Sequence, residues 1–216
     1  MIEIYYGYND FPEDEQRIYQ SLSEYRRRKA DACGTIETRR QSLMAGYLLE
    51  GQLRDAGVQG ELCYVESQRK KPQLKNQTLQ FSISHCKKIS TSVVAPWQVG
   101  IDAEQVGRGK MEIAERFFHP MEISLLQNQT DEIFQRFFCI LWTLKEAGAK
   151  CLDVPLTEIC RKFDCSGVVS PLNDGKTVRI EIANQEIFFH SYPLDDVVIT
   201  CGSTKEEGFS LKRIDK

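Results

Sequence analysis

The chain has 216 residues, of which 41% are hydrophobic, enough for one sizeable core or two small lobes of a globular protein. Its formal net charge of -3 argues against a general nucleic-acid binder, and the sequence shows neither a long apolar window nor a basic, apolar leader. Eight scattered cysteines without a CxxC pair indicate free thiols, so we predict a cytoplasmic protein that has no membrane segment.

The first half of the sequence predicts helices followed by a small sheet. Residues 1–8 alternate as a strand, and a helix is expected from Asp10 to about Ala30. A second helix is predicted from about Thr38 to Ala56, ending at a glycine. Short strands separated by a polar loop and by a proline are then expected at 62–65, 79–84, 91–95 and 98–103.

The second half predicts a similar combination of helices and strands. A break at 105–109 precedes short helices around 112–116 and 120–127. A long amphipathic helix is predicted over 131–150 because apolar side chains recur there at three- and four-residue steps. From Glu158 onward, β-rich runs that are broken at 173–175, 184–185 and Pro193 predict hairpins of a final antiparallel sheet. We therefore expect an α+β fold.

Two carboxylates lie at the end of the strand predicted at 98–103. Side chains alternate along a strand, so Gly100, Asp102 and Glu104 share one face. Carboxylates at this spacing, with room left by the glycine, can form half of a magnesium site. The alternative is that the two acids simply enter a solvated turn.

A second candidate pair lies near the end of the long helix. Glu146 and Lys150 are four residues apart, which makes them neighbours beside the apolar stripe that could face a shared ligand. The alternative is a surface ion pair. Trp142 precedes them by one turn and is expected to pack in the core.

These segments resemble the paired signature of the 4'-phosphopantetheinyl transferases. The first is Gly-Ile-Asp-Ala-Glu at 100–104, followed about 40 residues later by Trp-Thr-Leu-Lys-Glu at 142–146 and by Lys150. Lys-Pro at 71–72 and Phe-Ser-Ile-Ser-His at 81–85 resemble two further segments of the family. The pattern is similar to that of the larger, monomeric type, which activates carrier proteins of peptide and polyketide synthetases.

The resemblance implies both a fold and an activity. Two similar α/β lobes with small antiparallel sheets would be related by a pseudo-twofold, with the active site in the cleft between them. Residues 1–104 would form the lobe that binds the 3'-phosphate and adenine of coenzyme A, and residues 105–216 would form the catalytic and carrier-protein lobe. Such an enzyme moves 4'-phosphopantetheine from coenzyme A to a serine of an apo acyl or peptidyl carrier protein and releases adenosine 3',5'-bisphosphate.

The resemblance also implies roles for individual residues. Asp102, Glu104 and Glu146 would hold Mg²⁺ or Mn²⁺, with Glu146 as a candidate base for the serine proton, and Lys150 would offset charge on the pyrophosphate. Asp102, Glu146 and Lys150 are thus the catalytic candidates. The candidates for binding coenzyme A are Lys71, Ser84, His85 and one of Arg39 and Arg40.

The segment 107–127 is the candidate surface for the carrier protein. It carries basic charge at Arg108 and Lys110 and apolar side chains that could serve as anchors or as the core of two short helices. The apolar side chains are Met111, Phe117, Phe118 and Met121.

One residue of the long helix departs from the family pattern, and two other functions are compatible with the candidate residues. Gly148 stands where the family usually has a bulky aromatic, so the buried stripe of the helix lacks this side chain, and a glycine inside a helix costs about 1 kcal/mol relative to alanine. A three-carboxylate site alone also suits another magnesium-dependent, phosphodiester-cleaving enzyme. A non-catalytic carrier-binding module is the other alternative, although the intact charged residues argue against it.

Overall fold

The computed structural model describes residues 1–11, 13–66, 72–75 and 78–215. It contains seven α-helices and ten strands in this range, and single 3-10 turns at Leu156–Glu158 and Ser166–Val168. The helices are α1 (Glu15–Ser21), α2 (Glu24–Asp31), α3 (Ile36–Asp55), α4 (Met111–Phe117), α5 (Pro120–Gln127), α6 (Asp131–Leu152) and α7 (Val169–Asn173). The strands are β1 (Ile2–Tyr8), β2 (Tyr64–Glu66), β3 (Pro72–Leu74), β4 (Gln80–His85), β5 (Ile89–Ala95), β6 (Val99–Gln105), β7 (Val178–Ile182), β8 (Gln185–Leu194), β9 (Val197–Ser203) and β10 (Phe209–Arg213).

The chain forms two compact units, and their boundary differs from the one predicted after Glu104. The first unit comprises residues 1–98 together with 208–216, and the second comprises residues 99–207. The boundary lies before β6 because this strand pairs along its whole length with β9 of the second unit. Both units mix helices with small, mainly antiparallel sheets, as the α+β prediction requires.

The sheet of the first unit is built around the N-terminal strand. Its order is β10-β1-β5-β4, with antiparallel pairs except for the parallel pair of β1 and β10. Helix α3 packs on one face of this sheet and buries Met44 and Leu48 with Tyr5 of β1. The helix starts at a capping box formed by Thr35 and Thr38, and Gly57 follows its end with a φ of +88°.

Two predictions for the first unit are wrong in detail. The helix expected from Asp10 to Ala30 is two helices, because Ser23 caps α2 by accepting a hydrogen bond from the Arg26 amide after an extended Leu22. Pro12, which was expected near the first turn of that helix, lies outside the described residues. The loop after β2 contains an additional strand, β3, which pairs antiparallel with β2.

The second unit has a sheet of order β6-β9-β8-β7 with antiparallel pairs throughout. Helix α6 packs on this sheet and supplies Ile140, Leu141 and Leu144, all fully buried, to the core. Gly148 of α6 fits this packing, because a methyl group placed there would lie 3.4 Å from the ring of Phe189. The neighbouring core side chains therefore occupy the space that a bulkier residue would need.

Two predictions for the end of the second unit are also wrong. Residues 156–173 form 3-10 turns and α7, whereas β-rich runs were expected from Glu158 onward. Pro193 lies inside β8 and does not end it. In the described sheet β7 pairs with β8 only as far as Phe189, so Pro193 lies where one side of β8 has no neighbouring strand. Proline is tolerated at such an edge because no ladder hydrogen bond is lost there.

No helix of the described residues has both the length and the apolar character needed to cross a membrane. All eight cysteines are free thiols, and six of them are buried.

Candidate active site

Strand β6 and helix α6 place the candidate catalytic residues side by side in the second unit. Gly100 and Asp102 share the face of β6 that meets the helix, as the alternation of side chains predicts. Glu146 and Lys150 lie one turn apart on α6. Lys150 Nζ donates a hydrogen bond of 2.7 Å to Asp102 Oδ1 and lies 3.8 Å from Glu146 Oε2.

Gly100 allows Lys150 of α6 to reach Asp102 of β6, in a way that differs from the prediction. A methyl group at this position would lie 2.0 Å from the carbonyl oxygen of Ala147 and 2.4 Å from the amide nitrogen of Cys151. The backbone of α6 therefore fills the space beside the glycine, which was expected to leave room for a metal ion. Gly100 thus acts by letting the helix approach the strand, and Lys150 reaches Asp102 as a result.

The charged side chains differ in how far water reaches them. The side chain of Asp102 is only 5% exposed, whereas those of Glu146 and Lys150 are 29% and 30% exposed. Glu104 is 32% exposed and lies 3.7 Å from Arg108. The pair formed by Glu146 and Lys150 is therefore part of a partly buried cluster and is not an ordinary surface pair.

Burial and, to a smaller extent, electrostatic repulsion within this cluster raise the pKa values of the two glutamates. Burial raises the pKa of Glu104, and the nearby charge of Asp102 raises it further. Burial and Asp102 likewise raise the pKa of Glu146, while Lys150 acts in the opposite direction. Carboxylates in such surroundings are stabilised by an additional cation, because it offsets both their desolvation and their mutual repulsion.

The donor set suits magnesium, although the side chains are not gathered around a metal position. Asp102, Glu104 and Glu146 offer the hard oxygen ligands that Mg²⁺ and Mn²⁺ prefer. Among the described residues, however, no three His, Cys, Asp or Glu side chains are arranged to hold a metal ion. The cation found between Asp102 and Glu146 is Lys150. The side chains are therefore of the type that binds a divalent cation. In the arrangement seen here, the ammonium group of Lys150 balances the negative charge of Asp102 and Glu146.

A cavity that the sequence did not predict opens beside Glu104. It has a volume of about 260 Å³ and a largely apolar wall. Trp142 forms part of this wall and also stacks on Phe138, with an angle of 6° between the ring planes. The expected packing role of Trp142 is thus observed, together with a second position at the cavity. The residues lining the cavity are Glu104, Gln105, Arg108, Gly109, Ile113, Phe138, Cys139 and Trp142.

In the first unit, the two candidate arginines are held by one carboxylate. Arg39 and Arg40 lie in the first turns of α3, and both form ion pairs with Glu15 of α1. The Arg40 Nε donates to Glu15 at 2.9 Å, and Arg39 lies 3.8 Å from Asp31. Their positive charge is therefore partly neutralised within the unit.

The candidate residues of β4 point in opposite directions. Ser84 is buried and His85 is exposed, as expected for neighbours on a strand. His85 pairs with Ser90 of β5, whose hydroxyl donates to the Gln41 carbonyl in the first half of α3. His85 thus lies on the side of the sheet where α3 begins, and Ser84 faces away from it. Lys71 lies outside the described residues.

Comparison with known proteins agrees with the resemblance drawn from the sequence. Residues 98–202 match the model of the 4'-phosphopantetheinyl transferase superfamily. A 4'-phosphopantetheinyl transferase of Bacillus subtilis is 29% identical over 122 residues, which are 55% of this chain and 51% of the relative. The 4'-phosphopantetheinyl transferase HetI of a Nostoc strain is 33% identical over 135 residues, which are 59% of this chain and 52% of the relative.

A third relative, the 4'-phosphopantetheinyl transferase gsp of Aneurinibacillus migulanus, is 34% identical over 74 residues, which are 34% of this chain and 31% of the relative. The matches thus span about half or less of the length of the curated relatives. The match to the superfamily includes the whole of β6 and α6, which carry Asp102, Glu104, Glu146 and Lys150. The segment 98–202 therefore belongs to the 4'-phosphopantetheinyl transferase superfamily.

Proposed function

We propose that this protein transfers 4'-phosphopantetheine from coenzyme A to a serine of an apo acyl or peptidyl carrier protein and releases adenosine 3',5'-bisphosphate. The observation that carries the proposal is the cluster of Asp102, Lys150 and Glu146, which lies within the segment shared with the superfamily. Transfer of a phosphate ester requires an activated hydroxyl and compensation for charge on the leaving group. This cluster supplies groups of both kinds.

The residues of the cluster divide these tasks. Asp102, Glu104 and Glu146 would hold Mg²⁺ or Mn²⁺, which would supply positive charge to the pyrophosphate of coenzyme A. Glu146 accepts the proton of the carrier serine, for which its raised pKa is favourable. The serine oxygen then forms its bond to phosphorus while the bond to the leaving bisphosphate breaks. Lys150 offsets the charge that appears on the departing oxygen.

The proposal assigns the 3'-phosphate of coenzyme A to basic residues of the first unit. His85 and one of Arg39 and Arg40 would contact it, together with Lys71, and Ser84 would contact another part of coenzyme A. An anion that binds Arg39 or Arg40 must compete with Glu15, which already pairs with both. The opposite directions of Ser84 and His85 support assigning these two residues to different parts of the ligand.

Several finer points stay predictions from the sequence. They are the pseudo-twofold relation of the lobes, the larger monomeric type of enzyme that serves peptide and polyketide synthetases, the cytoplasmic location, and the absence of nucleic-acid and membrane partners.

The activity can be tested by incubating the protein with coenzyme A, Mg²⁺ and a panel of apo carrier proteins. We expect at least one carrier to gain the mass of one phosphopantetheinyl group, as measured by mass spectrometry. A phosphodiester-cleaving enzyme would release product from coenzyme A without any carrier. A non-catalytic module would bind a carrier and leave its mass unchanged.

Burial decides which residues of the candidate carrier surface at 107–127 are accessible to a partner. Phe118 is fully buried and belongs to the core, whereas Met121 is 56% exposed and remains available as an apolar anchor. Lys110 is exposed. Arg108 lies 3.7 Å from Glu104, so reversing its charge would disturb the carboxylates as well as the surface. Lys110 is therefore the better position for testing this surface.

Lys110→Glu is expected to raise the Michaelis constant for an acidic carrier protein several-fold at low ionic strength. The Michaelis constant for coenzyme A should change little, because a charge at the rim of an interface affects association more than chemistry. The effect should fade as salt screens the charge. Steady-state kinetics with Lys176→Glu as control would check this, since Lys176 is also an exposed lysine of the second unit. Equal constants for the two variants would place the carrier on another surface.

A further inference from the structure

Lys145 directly precedes Glu146 but takes no part in the carboxylate cluster. Its side chain is only 1% exposed, although Glu146, the next residue of α6, and Lys150, one turn further on, are both partly exposed. Lys145 Nζ lies 2.9 Å from Glu122 Oε1 of α5 and donates to the carbonyls of Cys160 and Phe163 at 3.2 and 2.9 Å. A lysine ammonium has three protons to donate, and these three acceptors use them all.

Glu122 completes this buried network on the other side. It is fully buried, and its Oε1 also accepts a hydrogen bond of 2.8 Å from the amide of Cys165. Its Oε2 accepts from the amide of His119 at 2.9 Å and so closes the capping box of α5. The pair of Lys145 and Glu122 thus connects α6 to the start of α5 and to the segment 160–165.

We infer that Lys145 is a positioning residue whose buried ion pair with Glu122 fixes the rotation of α6 and thereby the direction in which Glu146 points. Successive residues of an α-helix are separated by about 100° around its axis, so anchoring Lys145 also sets the direction of its neighbour. All three protons of Lys145 are used within the core, so none is left for a substrate. The effect of Lys145 on the reaction is therefore indirect.

The test rests in part on the proposed function. It compares two variants whose folds should be destabilised to a similar degree. Lys145→Met keeps an unbranched side chain and removes the charge. Ile187→Ala truncates a fully buried residue of β8 in the same core. Both should lower the melting temperature, but Lys145→Met alone should lower kcat for carrier modification, by about 100-fold, as expected for a misplaced catalytic group. The Michaelis constant for coenzyme A should change less than twofold. Equal losses of kcat in the two variants would overturn the inference.

A milder variant and a readout other than activity keep the test decisive. Glu122→Gln retains the shape and acceptor oxygen of the side chain, so it should fold and show a smaller loss of kcat, about tenfold. Hydrogen exchange measured by mass spectrometry should be faster in residues 143–152 of both Lys145→Met and Glu122→Gln than in Ile187→Ala. If the wild type modifies no carrier, the proposed function fails, and hydrogen exchange alone decides the inference. Unchanged exchange in residues 143–152 would then overturn it.

Discussion

Asp102→Asn is expected to lower phosphopantetheine transfer by about 100-fold or more while leaving the fold intact. Asparagine has nearly the same shape and can still accept the hydrogen bond of Lys150, so the contact between β6 and α6 should survive. The substitution removes the least exposed charge of the cluster and with it a ligand that Mg²⁺ would need. The rate of carrier modification, followed by mass spectrometry, measures the loss, and circular dichroism checks the fold.

Asp174→Asn provides the matched control, because Asp174 is an exposed aspartate of the same unit. It should retain wild-type activity. Transfer that continues undiminished in excess chelator, or a wild-type rate in Asp102→Asn, would remove the metal from the proposal.

Acidification should act on the same cluster. The raised pKa values of Glu104 and Glu146 mean that protons bind these glutamates at a higher pH than they bind ordinary ones. Protonated glutamates are poor ligands, so the affinity for Mn²⁺ should begin to fall at a correspondingly higher pH as the solution is acidified.

The carboxylate cluster could be predicted from the sequence because it depends on local periodicity. Alternation along β6 puts Asp102 on the same face as Gly100, and a four-residue step along α6 puts Glu146 beside Lys150. Both relations hold in the structure. The packing of strand against helix was anticipated only through the resemblance, because no local pattern records which elements meet.

Features that depend on long-range pairing escaped prediction. Strand β10 lies parallel to β1, with Phe209 opposite Ile2, although nearly the whole chain separates them. The partner of a buried charge is equally hidden in the sequence. The sequence does not distinguish Lys145 from an exposed charged residue of α6, or Glu122 from an exposed residue of a short helix. Only the fold brings their side chains to within 2.9 Å.

Gly100→Ala is also expected to lower transfer by about 100-fold, by a route that leaves every charged residue in place. The added methyl group would lie 2.0 Å from the Ala147 carbonyl oxygen and 2.9 Å from the Cys151 Cα, whereas a comfortable separation is about 3.5–4.0 Å. These are backbone atoms, so a change of rotamer cannot relieve the clash and α6 must move away from β6. Overpacking of this kind costs about 1–3 kcal/mol or more. A displacement of about 1 Å at a catalytic site can lower the rate about 100-fold.

Gly148→Ala is the matched control, because it makes the same chemical change in α6 where space exists. The three atoms of other elements nearest to its methyl group would all belong to side chains, at 3.4 to 3.5 Å, and alanine favours a helix by about 1 kcal/mol over glycine. We therefore expect this variant to keep wild-type kcat and to gain up to about 1 kcal/mol in free energy of unfolding. Denaturant unfolding and the mass-spectrometric assay of transfer measure both quantities. Wild-type kcat in Gly100→Ala would show that the reaction does not require the close contact between β6 and α6. Lys150 and Glu146 would then still act after α6 has moved away from the strand.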